Sequence, residues 1–323
     1  MKLKDKENAN LPPVIVLCGP TGVGKTAYAI ELARAFGGQI VGADSMQIYR
    51  HMDIGTAKPT VQERQQVPHF MIDIVDPDEE FSAGQYGRMA GEVLAGMHKA
   101  GILPFLVGGT GLYIKACLRG LFREGPADGR VLNELKDEAA EKGAAAMYER
   151  LRSCDPESAE RINPNDVFRI VRALELFAVT GRPASEHIRS HGFSEQRYNA
   201  LKICLYPERE EMYQAIDTRV DAMLAAGFAE EVKGLLDRGY GPELKSMQSI
   251  GYRHMVAYLL GKTSRQEMVE TMKRDTRRYA KRQLTWFRGD SEVVWVRKEE
   301  GLDRMFGLVK AFIDDTKGEE FSR

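Results

Sequence analysis

The feature that most constrains this chain is Gly19-Pro20-Thr21-Gly22-Val23-Gly24-Lys25-Thr26, a match to G-x-x-x-x-G-K-[ST]. Before it lies Val14-Ile15-Val16-Leu17-Cys18, a short β-branched run that reads as a buried parallel strand. After it, residues 26–36 have helical composition, and Gly37-Gly38 stop them. Strand, loop and helix in that order are the context a phosphate-binding loop (P-loop) requires. The glycines let backbone N–H groups turn inward around phosphate oxygens, and the helix N-terminus adds its partial positive charge. Lys25 supplies a mobile cation, and the Thr26 hydroxyl is placed to reach a magnesium ion. The motif predicts phosphate binding and is silent on the reaction.

Further strands are predicted at residues 39–43, with Asp44 just past the end, at 70–75, and at 104–107 before Gly108-Gly109-Thr110-Gly111. Strands alternating with helices predict an α/β fold, a three-layer P-loop core around a parallel sheet. Ligands of such sheets sit beyond the carboxyl ends of the strands, so Asp44 and Thr110 fall on the rim that carries the P-loop. Over residues 125–200 the strand signal disappears. Two charged helical stretches cover 131–152, and a stronger one covers 166–179, with Val167, Ile170, Val171, Leu174 and Phe177 at helical spacing before Gly181 and Pro183. This reads as a helical insertion that divides the core into residues 1–124 and 201–323. A strand at 201–206 is expected to return to the sheet, and the remainder to be mainly helical, through 208–237 and 265–287.

The composition, 43% hydrophobic and 29% charged with a net charge of -1, is that of an ordinary soluble protein and gives no global sign of a nucleic-acid binder. Cys18, Cys117, Cys154 and Cys204 form no C-x-x-C pair, which argues against a zinc ribbon or a disulfide framework. The first 13 residues are polar and mixed in charge, and no stretch of ~18 apolar residues exists, so neither secretion nor a membrane span is expected. A cytoplasmic monomer is the expected form.

The default for a P-loop is an ATP-dependent kinase, which holds magnesium with a second carboxylate at a strand end. Here the best strand ends in glycines and a threonine; Asp73 and Asp76 lie in a weaker strand, which counts against NTP hydrolysis. Asp44 reads equally as a general base, a second magnesium ligand or a helix N-cap. Arg219 falls in the middle of an apolar helix face formed by Met212, Ile216 and Met223. A charge there either snorkels outward or meets an anionic partner. Seven basic residues within 273–288, with Tyr279, Trp286 and Phe287 interleaved, are either a solvated helix face or a phosphate-contacting surface.

Three stretches make the P-loop specific: Asp44-Ser45-Met46-Gln47-Ile48-Tyr49-Arg50, Met52-Asp53-Ile54-Gly55-Thr56-Ala57-Lys58-Pro59 and Gly108-Gly109-Thr110-Gly111-Leu112-Tyr113. With the segment from Pro68-His69 to Tyr86 and Lys281-Arg282-Gln283-Leu284-Thr285-Trp286-Phe287-Arg288, the chain resembles the bacterial tRNA dimethylallyltransferases, also called tRNA isopentenyltransferases. The resemblance runs over residues 13–288. It implies transfer of a dimethylallyl group from dimethylallyl diphosphate to N6 of the adenosine just 3′ of the anticodon in tRNA, with release of diphosphate and with Mg2+ as cofactor. It implies Asp44 as the base, Ser45, Met46 and Gln47 against the target nucleotide, Thr110 near the reacting adenosine, and Arg219 with Thr21 clamping the diphosphate. For RNA it implies contacts from Arg169 and Arg172 on the insertion, from Gln248, Ser249, Ile250, Gly251, Tyr252 and Arg253, and from Lys281 and Arg282 on the basic helix. Many relatives carry an arginine where this chain has Leu132, and Arg130 is the nearest basic residue. The chemistry fits the residues: charge builds on departing diphosphate, which a cradle of N–H groups and Lys25 stabilises without ATP or a catalytic water. The amine is reachable only if the base leaves its stack, so a flipped adenosine entering from one side and the donor from the other is expected.

Overall fold

A computed structural model describes residues 11–120, 129–191 and 195–320. The expected boundary at 124/125 and most of the N-terminal segment lie outside the described residues. β1 (Pro13–Cys18) leads through the P-loop into α1 (Lys25–Ala35), then β2 (Gln39–Gly42), α2 (Val61–Gln66), β3 (His69–Phe70), α3 (Ala83–Lys99), β4 (Pro104–Gly108) and α4 (Gly111–Arg119). Next come α5 (Gly129–Cys154), α6 (Pro156–Arg161), α7 (Val167–Thr180) and α8 (Ala184–His191). The chain ends in β5 (Asn199–Tyr206), α9 (Arg209–Ala225), α10 (Phe228–Asp237), α11 (Tyr252–Leu259), α12 (Arg265–Arg288), β6 (Val293–Arg297) and α13 (Gly301–Glu320). It divides into two compact units, residues 1–118 with 197–323, and residues 119–196.

In the larger unit six strands form a parallel sheet in the order β3-β2-β4-β1-β5-β6. Alternation along the strands explains its three layers. Val14, Val16 and Cys18 face one core with Leu106 and Cys204, covered by α3, α4 and α10 to α12. Ile15 and Leu17 face the other, with Phe105, Val107 and Ile203, covered by α1 and α13. Both faces of β1 are therefore buried, as its unbroken apolar run requires. The P-loop and the ends of β2 and β4 share the carboxyl rim.

Three expectations are corrected in detail. The strand at 70–75 shrinks to His69–Phe70, because Met71 and Asp73 take positive φ of 61° and 56° and bend the chain off the edge; Val75 touches back only as a bridge to Tyr49. The helix expected over 208–237 breaks at Gly227, where φ is 96°, into α9 and α10. β5 begins at Asn199, so the return to the sheet starts inside the stretch read as insertion. α3 and β6 were not expected, although Ser82 and Gln85 form a capping box that marks the start of α3.

The smaller unit is helical and has its own core. Gly143 (φ 80°, ψ 170°) divides α5 into two charged segments. α7 buries Ile170, Val171, Ala173 and Leu174 against Leu135, Met147 and Leu151, and Gly181 caps it in the left-handed conformation. Asp155 is buried, accepting from the Ser158 N–H at 3.0 Å and the Ser185 N–H at 2.9 Å.

Candidate active site

The P-loop, the ends of β2 and β4, and the face of α9 line one cleft of about 110 Å³. That is several times the ~30 Å³ of a water molecule. Thr21, Gly22, Gly24, Lys25 and Thr26 supply one wall, Asp44 and Gln47 another, with Gly108, Gly109, Arg219, Tyr279 and Gln283 opposite. Lys25 Nζ donates to the Gly19 and Pro20 carbonyls at 3.0 and 2.7 Å. Burial brings its ammonium down to about 8; Arg219 adds to the fall and Asp44 opposes it. An anion entering the cleft restores the charge. Val23, by contrast, turns its side chain into the core under the loop. Among the described residues the Thr26 hydroxyl makes no hydrogen bond, so it is open to a cation held by phosphate oxygens and water, a site that needs few protein ligands.

Asp44 caps no helix, because a turn follows it, and its carboxylate is fixed at one oxygen and open at the other. Its Oδ1 accepts from the Met46 N–H at 2.8 Å and the Gln47 N–H at 3.4 Å, an Asx turn that fixes the side chain. Among the described residues Oδ2 accepts no hydrogen bond. Thr110 Oγ1 accepts from the Ser45 N–H at 3.0 Å and donates towards Ser45 Oγ at 3.4 Å, so β4 and β2 hold each other's terminal turns. Of the expected nucleotide contacts, Gln47 lines the cleft and donates to the Thr56 and Ala57 carbonyls, whereas Ser45 and Met46 lie just outside its lining. Arg219 does not snorkel: it lines the cleft, its Nη2 donates to the Thr56 carbonyl at 3.2 Å, and burial lowers its pKa against the pull of Asp44. Asp73 and Asp76, the only carboxylates a kinase reading offered, are outside the cleft, paired to Lys58 and Arg64 and to Arg50.

Several supporting residues escaped the sequence reading. Glu231 accepts from three consecutive backbone N–H groups, Asp53, Ile54 and Gly55, at 2.7 to 3.1 Å. Buried Lys58 donates to the Tyr49 carbonyl and pairs with Asp53 and Asp73. Together they pin the loop that carries Thr56 and Ala57 over the cleft. Gln283 and Tyr279, on α12, are the other omissions. Tyr279 lies beside Thr110 and Gln283, and burial, then the charge of Asp44, push its hydroxyl up to about 12. A lone Glu, Lys or Gln inside a helical or loop pattern carries no local signal of such partners.

The expected RNA residues divide. Lys281 and Arg282 are exposed on α12, over the rings of Tyr213 and Tyr279. Gln248 and Arg253 are exposed, Arg253 pairing with Asp275 at 2.7 Å; Ser249 and Ile250 are half-buried. Gly251 and Tyr252 are buried, and the Tyr252 hydroxyl donates to Glu231 at 2.6 Å, which supports the loop at 53–55. In the smaller unit Arg130 and Arg169 are exposed, while Arg172 is half-buried and paired with buried Glu175 at 2.5 Å. Among the described residues no helix is long and apolar enough to cross a membrane.

A parallel-sheet P-loop protein that gathers two cations, Lys25 and Arg219, and an aspartate with one open oxygen in a single cleft belongs to the class that binds phosphorylated ligands. The chain belongs to the IPP transferase family: a family model of that description matches residues 47–290, and one described as isopentenyl transferase matches residues 12–76. It is 63% identical over 302 residues to a tRNA dimethylallyltransferase of Desulfosudis oleivorans, covering 94% of this chain and 96% of that one. Among solved structures it is similar to the full-length tRNA isopentenylpyrophosphate transferase of Bacillus halodurans (37% identity, TM-score 0.72, 96% and 99% of the two chains). It is also similar to a eukaryotic dimethylallyltransferase acting on tRNA (29% identity, TM-score 0.82, 94% and 80%).

Proposed function

We propose that the protein is a tRNA dimethylallyltransferase, which moves a dimethylallyl group from dimethylallyl diphosphate to N6 of the adenosine 3′-adjacent to the anticodon and releases diphosphate. The observation that carries this reading is the unpartnered Oδ2 of Asp44 in the cleft that also holds Lys25, Thr26 and Arg219. The P-loop amides, Lys25 and Arg219 receive the donor's diphosphate and stabilise the negative charge that grows as the allylic C–O bond breaks. N6 forms the new C–N bond, and its proton passes to Asp44 Oδ2. Thr26 would hold a Mg2+ ion, which would supply further charge neutralisation to the leaving group. Thr110 holds the turn that carries Asp44, and Gln47 faces the target nucleotide. The adenosine leaves its stack to reach the cleft, while Lys281, Arg282 and Arg253, with Arg130 and Arg169 of the smaller unit, contact the RNA backbone.

The test uses radiolabelled dimethylallyl diphosphate and unmodified tRNA with wild type and Asp44→Asn. Asparagine keeps the acceptor of the Asx turn and removes the base, so label transfer should fall by roughly 100-fold or more, in line with the loss of a general base, with tRNA binding retained. Consumption of ATP without label in tRNA would instead favour a kinase.

A further inference from the structure

α12 presents two faces with different work. Arg274, Arg278, Lys281, Arg282 and Arg288 are exposed. Tyr279, Gln283 and Trp286 recur at helical spacing on the side that meets the Gly109-Thr110-Gly111 turn. Contact there is so close that a Cβ on Gly109 would lie 2.1 Å from Gln283 Nε2, and one on Gly111 2.0 Å from Trp286 Nε1. The two glycines of this turn are thus explained by the helix laid across it rather than by the turn's own conformation.

Gln283 is the centre of that contact. Its Oε1 accepts from the Thr21 N–H at 2.9 Å, and its Nε2 donates to the Gly109 carbonyl at 2.9 Å. Thr21 belongs to the diphosphate cradle. Gly109 precedes Thr110, whose hydroxyl holds the Ser45 N–H beside Asp44. One buried carboxamide therefore joins the half of the site that binds the donor to the half that carries the base. Its donor and acceptor are both engaged on backbone groups.

We propose that Gln283 is a positioning residue of the transfer reaction, setting the separation between the P-loop and the Asp44–Thr110 turn. The proposal rests on the transferase reading above. Transfer needs the leaving oxygen, the allylic carbon and N6 aligned, and a misplacement of about 1 Å costs on the order of 100-fold in rate. The carboxamide achieves this by carrying a donor and an acceptor at opposite corners of one planar group, which an apolar side chain of equal size lacks.

Two variants test it under single turnover with labelled donor. Gln283→Met removes both hydrogen bonds at similar volume; the rate should fall roughly 30- to 100-fold, while tRNA affinity measured by filter binding stays within about threefold. Gln283→Glu carries the more specific signature. A protonated carboxyl donates to the Gly109 carbonyl and accepts from the Thr21 N–H as the amide does, whereas the carboxylate repels that carbonyl and the diphosphate. The ratio of variant to wild-type rate should therefore rise severalfold as pH falls from 8.5 to 6, a trend that dividing by wild type isolates from Asp44 and Lys25. A rate for Gln283→Met within about twofold of wild type, or a ratio for Gln283→Glu flat across that range, overturns the proposal. The pH profile decides alone if the methionine variant does not fold. Failure of the transferase reading shows separately, as no label in tRNA with the wild-type enzyme.

Discussion

Lys25 is held by two carbonyls, and burial, aided by Arg219 and opposed by Asp44, brings it down to about 8. Binding a diphosphate supplies negative charge and raises its pKa. The sign follows: below about pH 8 the lysine is already protonated and affinity is insensitive to pH, while above it each complex must take up a proton. Pyrophosphate affinity should fall by up to about tenfold per pH unit between pH 8 and 9.5. Calorimetry at pH 8.5 in two buffers of different ionisation heat should register uptake of a fraction of a proton; a pH-independent affinity would count against the lysine's role. At this scale the sequence was most legible where chemistry is local. Lys25 and Thr26 are fixed by their spacing within the loop, and Asp44 by its place at a strand end. Gln283 was not legible, because its partner Thr21 lies 262 positions away and only the fold brings the two together.

α12 was readable as a helix and as a basic one, but its charge pattern concealed a division of labour. Lys273 and Arg277 are tied to Asp221 and Asp217 of α9, so they fasten the helix to the core. Arg274 and Arg278 are exposed but pair with Asp275, whereas Lys281, Arg282 and Arg288 are exposed with charge to offer a phosphate backbone. Lys281→Ala and Arg282→Ala should each weaken tRNA binding and lower the log–log salt slope by about 1, with pyrophosphate affinity unchanged. Binding titrations across a salt series read this directly. β3 shows the opposite case: its residues look extended for six positions, yet Met71 and Asp73 turn off after two, with Asp73 held there by Lys58 and Arg64. Such tertiary ion pairs override local strand propensity.

The whole molecule holds separate cores, and in the smaller unit the buried carboxylate of Asp155 ties two helix starts together. Burial works against the Asp155 charge, but hydrogen bonds from Ser158 and Ser185 prevail and hold its pKa below the ordinary value. The resulting stabilisation is present at neutral pH and is lost as pH falls through the carboxylate range. Asp155→Ala strands those two donors and should cost about 1–3 kcal/mol. Hydrogen exchange should show faster exchange across residues 129–191 and unchanged protection in β1 and β4. Equal loss in both units would mean that they unfold as one. The existence of this unit was legible from the disappearance of strand patterning, whereas its edge was not, since Asn199 and Ala200 look polar and neutral but already pair with β1.

The place of β5 in the sheet has a consequence for how the chain is born. β1 is flanked by β4 on one side and β5 on the other, yet β5 emerges from the ribosome only after the whole smaller unit. At ~5–20 residues per second, synthesis of that stretch takes on the order of 10 s. Throughout it the growing protein carries a parallel sheet with its central strand bare along one edge and its P-loop unsupported by α9 and α12. The smaller unit, by contrast, has all its own helices and can fold during the wait. Nascent chains stalled before residue 199 should therefore engage chaperones through the naked edge of β1, and those stalled after α12 should not.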